Sequence, residues 1–191
     1  LALLEPVELC GATIARATLN NYADICRKKV KLGSRVFIRR SNDVIPEILG
    51  TVEDSGGTTV EKPTCCPACG ATVEEIGAHL FCPNEDGCEP QICGKIEHFC
   101  AKDCMDIEGI SEMTVKQLHR KLGVVSPIQL YSIRPEQLRE IEGFKTKKIH
   151  NFLAAVEKSK QADLPRFIHA LGIPNVGKKT ARDLAERYKN I

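Results

Sequence analysis

The chain contains no tryptophan, and aromatic residues make up only 5% of it. That scarcity argues against a large aromatic-lined ligand pocket, and against base stacking as the main way of holding a nucleic acid. Long hydrophobic runs are missing as well. No apolar stretch approaches the roughly 20 residues needed to cross a bilayer. Leu1 to Val7 also lack the basic, apolar, then small-residue order of an export signal. A cytoplasmic protein with no membrane partner is therefore expected. Net charge is small too, at +2 over 191 residues, but it is unevenly spread. Residues 139–191 carry twelve Lys/Arg against six Asp/Glu, a balance of +6 that leaves −4 on the rest. A basic segment on a slightly acidic chain fits a polyanion-binding module, and it also fits a solvated helix face. With 42% hydrophobic residues, the length suits two or three compact units.

Cysteine, in contrast, is plentiful, with ten residues. Without an export signal a disulfide framework is the weaker reading, and a metal site the stronger. Cys66-Pro67-Ala68-Cys69-Gly70 forms a tight knuckle, followed by Cys82 and Cys88, with gaps of two, twelve and five residues. Pro67 stiffens the turn and Gly70 allows the backbone to aim both thiolates at one point. The five residues between Cys82 and Cys88 exceed the usual two to four, and Cys65, Cys93, His79 and His98 compete for the same positions. Spacing alone leaves Cys93 open as an alternative to Cys88. Four thiolates would saturate a zinc ion and leave no water position, so the expected role is structural. Such a short minidomain would take much of its folding free energy from the ion.

Beyond the cysteines the chain repeats itself. Ile107-Glu108-Gly109-Ile110-Ser111, Ile141-Glu142-Gly143-Phe144-Lys145 and Ile173-Pro174-Asn175-Val176-Gly177 recur at intervals of 34 and 32 residues, each before an amphipathic stretch. Each reads as a tight turn entering a helix. This pattern resembles the helix-hairpin-helix fold, whose hairpin offers backbone N–H groups to a DNA phosphate. Gly or Asn tolerates positive φ, a short side chain lets an anion approach, and the helix N-terminus adds positive partial charge. Lys145, Lys147, Lys148, Lys178, Lys179 and Arg182 crowd the second and third turns. Acidic Asp106, Glu108 and Glu112 surround the first, which also fits a packing element.

Residues 1–62 read as short strands at Leu3–Leu9, Gly11–Leu19, Arg35–Arg40 and Val44–Val52, with a helix from Asn21 to Lys29. That suits a small OB-type barrel. Alternation with Val36 and Ile38 inward puts Arg39 outward and Arg40 on the inner side; a salt bridge to Asp43 or Glu47 is an ordinary alternative for either arginine. The expected architecture is multi-domain α+β: an OB-type β-barrel over 1–62, a four-cysteine zinc finger over 63–93, and an all-α tandem helix-hairpin-helix domain over 94–191.

Barrel, zinc and hairpins in this order resemble the DNA-binding half of bacterial NAD-dependent DNA ligases. The likeness is carried by Leu4-Glu5-Pro6-Val7, Arg16 to Asn21, Arg39-Arg40-Ser41-Asn42-Asp43-Val44-Ile45-Pro46-Glu47, the zinc cysteines, and Ala170 to Gly177. Such ligases pass AMP from NAD to a lysine in a K-x-D-G motif, then to a DNA 5′-phosphate, before the 3′-OH attacks. No K-x-D-G occurs here, so the resemblance implies an inactive, DNA-clamping fragment of a longer, monomeric enzyme. It implies structural Zn2+ on Cys66, Cys69, Cys82 and Cys88, with NAD and Mg2+ serving the full enzyme. It also implies DNA contacts from Arg40, Val44 and Ile45 in the barrel, and from Gly109, Gly143, Lys145, Lys148, Gly177, Lys178 and Lys179 in the hairpins. The partner would be nicked duplex DNA, gripped by its phosphates in the nucleoid. A stand-alone repair scaffold is the rival reading; a nuclease or glycosylase would need a carboxylate cluster or a catalytic lysine that the sequence does not display.

Overall fold

The computed structural model describes residues 1–41, 45–53 and 55–189. The chain falls into two compact units, Leu1–Pro83 and Asn84–Ile191.

In the first unit, β1 (Ala2–Leu9) pairs antiparallel with β2 (Ala12–Ala17) through a turn whose Cys10 and Gly11 both have positive φ. Helix α1 (Tyr22–Arg27) follows, capped by the Asn21 side chain, which accepts from the Asp24 N–H at 2.8 Å. Strand β3 (Lys31–Leu32) pairs with β6 (Thr58–Thr59), and β4 (Val36–Ser41) with β5 (Ile45–Thr51). The longer strands and the helix follow the sequence expectation, whereas the two-residue β3 and β6 are too short to leave a hydrophobic period. Their crossing needs Gly57, at φ +99°, because a Cβ there would stand 2.7 Å from the Leu32 carbonyl oxygen. The Thr18 N–H donates to the Pro46 carbonyl at 2.9 Å and links the first hairpin to β5. Ile14, Ala17 and Ile48 form the small buried centre. At the end of this unit β7 (Glu74–Ile76) and β8 (His79–Phe81) make a further hairpin around Gly77.

Asp24 holds α1 in place. Its carboxylate accepts from Lys28 at 2.7 Å, from Arg27, and from the Asn20 amide at 2.9 Å; these contacts, Lys28 foremost, hold it down at about 2. A depressed carboxyl stabilises the fold fully above its unfolded value near 3.9 and loses that contribution as pH falls through its folded value. Asp24→Asn should therefore lower the urea midpoint at neutral pH and flatten its decline between about pH 4 and pH 2. An unchanged pH profile would show that these contacts do not persist in solution.

The second unit is helical: α2 (Glu89–Cys100), α3 (Glu112–Leu122), a 3-10 turn over Pro127–Ser132, α4 (Pro135–Arg139), α5 (Thr146–Ser159), α6 (Leu164–Ala170) and α7 (Lys178–Tyr188). Ile92, Ile96 and Phe99 recur at helical spacing on α2, and they meet Val115, Leu118, Leu130, Leu138, Ile149 and Phe152 in one core. Full burial of each leucine contributes about 2 kcal/mol. Buried Ser159 is satisfied: its hydroxyl donates to the Val156 carbonyl at 2.7 Å and lies 2.8 Å from the Tyr131 hydroxyl. Among the described residues, no helix is long and apolar enough to cross a membrane.

Candidate zinc centre and nucleic-acid interface

The sulfur atoms of Cys66, Cys69, Cys82 and Cys88 all lie within 4.8 Å of one another. Local structure explains each position. The Gly70 N–H donates to the Cys66 carbonyl at 2.9 Å and the Cys66 N–H to the Ala71 carbonyl at 2.8 Å, closing the knuckle, with Gly70 at φ +74°. The wide interval before Cys88 is taken up by a turn in which the Cys88 N–H donates to the Asn84 carbonyl at 3.1 Å. Gly87 lets the Asn84 side chain pack against this turn, where a Cβ would stand 2.6 Å from it and make it shift. Cys88 is the N-cap of α2, where the helix dipole favours a thiolate.

The competing residues lie outside the cluster. Cys93 is buried in the helical core, where burial pushes its thiol up. Cys65 is exposed, and His79 is exposed with its ring edge-on to Phe81. His98 lies on α2, beside His169. The four thiols fit a zinc ion. Sulfurs sharing a tetrahedral ion at about 2.3 Å stand roughly 3.8 Å apart, and those of Cys69 and Cys82 are 3.5 Å apart. The Ala68 and Cys69 backbone N–H groups, in that order, bring the Cys66 thiol down to about 7, so its anion forms readily at neutral pH.

The three repeated turns share one backbone. Gly109, Gly143 and Asn175 have φ of +81°, +84° and +64°, while Ser111, Lys145 and Gly177 are extended N-caps of α3, α5 and α7. The Phe144 N–H donates to the Ile141 carbonyl and the Val176 N–H to the Ile173 carbonyl, both within 3.1 Å, as in type II turns. As the aligned pattern expects, Asn175 holds the left-handed position that Gly109 and Gly143 hold, a conformation Asn accepts at small cost, and Gly177, at φ −83°, begins the helix.

The helix starts are not alike. At α3 the Ser111 hydroxyl accepts from the Thr114 N–H and Glu112 occupies the first turn, so that end is already satisfied and acidic. Helices α5 and α7 have no side-chain cap and no acid in the first turn. Gly109 and Gly143 line one cleft of about 360 Å³ with Lys145, Lys147, Lys148, Asn151 and Phe152. The Lys148 ammonium sits 4.1 Å from the centre of the Phe144 ring. Lys178 pairs with Asp103, which offsets its charge, and Lys179 is exposed. Asn151, in the second turn of α5, carried no sequence signal, because only the fold brings it to the hairpins.

In the β unit, Arg39 is exposed and pairs with Glu47, whereas Arg40 is half-buried, as the alternation requires. The Arg40 Nη1 donates to the Cys10 carbonyl at 3.4 Å, and its Nε is buried without a partner among the described residues. Ile45 is exposed at the start of β5, and Val44 lies outside the described residues.

Residues 1–60 match the NAD-dependent DNA ligase OB-fold domain, and residues 166–191 match the helix-hairpin-helix motif. The whole chain is 54% identical to DNA ligase 2 and 53% identical to DNA ligase 1 of Clostridium acetobutylicum. The chain is homologous to bacterial NAD-dependent DNA ligases. It is also 52% identical to the DNA ligase of Alkaliphilus oremlandii, and it spans 29% of the length of each of these relatives. The 1–60 segment is thus an OB-fold domain of ligase type, and the third turn belongs to a helix-hairpin-helix motif.

Proposed function

We propose that this chain is the DNA-gripping part of an NAD-dependent ligase that seals nicks bearing a 5′-phosphate and a 3′-OH, in replication and repair. The observation that supports it best is the repeated left-handed turn before α3, α5 and α7, with two of the three helix starts uncapped and rich in lysine. In this reading residues 1–62 are the OB domain, 63–93 a zinc finger and 94–191 a tandem helix-hairpin-helix domain. Gly109, Gly143 and Gly177 let the phosphate backbone approach, and Lys145, Lys148, Lys178 and Lys179 neutralise it. Arg40, Val44 and Ile45 face the duplex from the OB side. Arg40 brings to that role a buried Nε that has no partner among the described residues, a donor that a phosphate or sugar oxygen would satisfy.

Cys66, Cys69, Cys82 and Cys88 hold a structural zinc that orders residues around the knuckle and takes no part in the chemistry. NAD and Mg2+ act on parts of the enzyme beyond these residues, since the 191 residues lack the K-x-D-G lysine. The whole enzyme works as a cytoplasmic, nucleoid-associated monomer.

Purified alone, the chain should bind a nicked duplex more tightly than an intact one. The logarithm of the binding constant should fall linearly with the logarithm of salt concentration, and incubation with NAD should leave no covalent AMP adduct. Salt-independent binding would overturn the phosphate grip, equal affinity for intact duplex would overturn the nick clamp, and self-adenylation would overturn the noncatalytic assignment.

A further inference from the structure

The 101–106 loop after α2 is gripped by the helices of the third hairpin. The Arg166 Nε donates to the Cys104 carbonyl at 2.8 Å and its Nη2 to the Lys102 carbonyl at 2.6 Å, and Lys178 pairs with Asp103. At this junction three donor side chains meet: His98 from α2, buried Cys104 from the loop, and His169 from the last turn of α6. Their ligand atoms lie within 4.8 Å of one another. The Cys104 Sγ is 3.8 Å from the His98 Nε2, close to the roughly 3.5 Å expected of a thiolate and an imidazole sharing a tetrahedral zinc.

A second observation points to a missing ligand. The His169 Nδ1 is buried without a hydrogen-bond partner among the described residues, an arrangement that is costly unless something satisfies it. The His98 Nε2 lies 2.9 Å from the His169 carbonyl, so its proton holds the site closed when no cation is present. His98 also lines an apolar cleft of about 1270 Å³.

We propose that His98, Cys104 and His169 form a second site, for a thiophilic divalent cation of the zinc class, that ties the third hairpin to the 101–106 loop. One thiolate and two imidazoles supply three ligands, and water completes the shell. The Cys104 thiol proton leaves to solvent, and the His98 Nε2 exchanges its proton for the metal or rotates to offer the other nitrogen. Asp103 does not join, since its carboxylate is engaged by Lys178. The site stands apart from the four-cysteine cluster in every ligand, so the two load independently.

Zinc and cobalt titrations of the whole chain test this. The native chain should take up two equivalents, with the second cobalt equivalent adding the absorption of a single thiolate. Cys104→Ala and His169→Gln should each take up one, with unchanged circular dichroism in the metal-free state. Cys66→Ser combined with His169→Gln should take up none. His169 is only half-buried, so its variant keeps the test decisive even if Cys104→Ala misfolds. Saturation of the native chain at one equivalent, or two equivalents retained by His169→Gln, would overturn the second site.

Discussion

Cys66→Ser should abolish tight zinc binding at the four-cysteine cluster and unfold the knuckle around it. Metal binding in such sites carries on the order of 10 kcal/mol, far more than the few contacts of a three-residue hairpin such as β7–β8 can replace. The Ala68 and Cys69 amides are aimed at the Cys66 sulfur. A serine oxygen there would keep the amides occupied but would not supply the soft anionic ligand zinc prefers. Zinc content per chain, with limited proteolysis around residues 64–83, reads the result. Native-like zinc content would transfer the ligand role to Cys65, which is adjacent in sequence and exposed.

Replacing Lys145, Lys147 and Lys148 together by alanine should cost the most DNA affinity of any change in the hairpins. These three line the cleft shared by Gly109 and Gly143, and no carboxylate stands in the first turn of α5 to offset them. Each phosphate contact contributes about 0.9 to the salt slope, so losing three lowers it by about 2.7. Between 50 and 200 mM salt the native chain would then lose about 40-fold more affinity than the variant. Lys178→Ala should do less, because Asp103 already partners that ammonium. The check is fluorescence anisotropy of a nicked duplex across that salt range. A slope unchanged in the triple variant would remove α5 from the interface.

The contrast between Lys148 and Lys178 shows where sequence reading stops. Both are lysines beside a turn, and charge counting treats them alike. One lies against an aromatic ring, while the other is paired with a residue 75 positions away. Partners that far apart in the chain leave no periodic trace. The same holds for His98, Cys104 and His169, which meet only because α6 packs against the loop after α2.

The sequence by itself determined the longer strands and the helix of the first unit, the knuckle cysteines, and the repeat of turns entering helices. Those depend on local spacing, on side-chain period and on backbone freedom, all of which are written along the chain. Only the tertiary structure decided that Cys88 rather than Cys93 joins the cluster, that the first hairpin's helix end is already capped, and that Arg40 holds a buried donor with no partner among the described residues. Each of these is a question of which groups meet in space and which are screened from water, and chain order does not specify it.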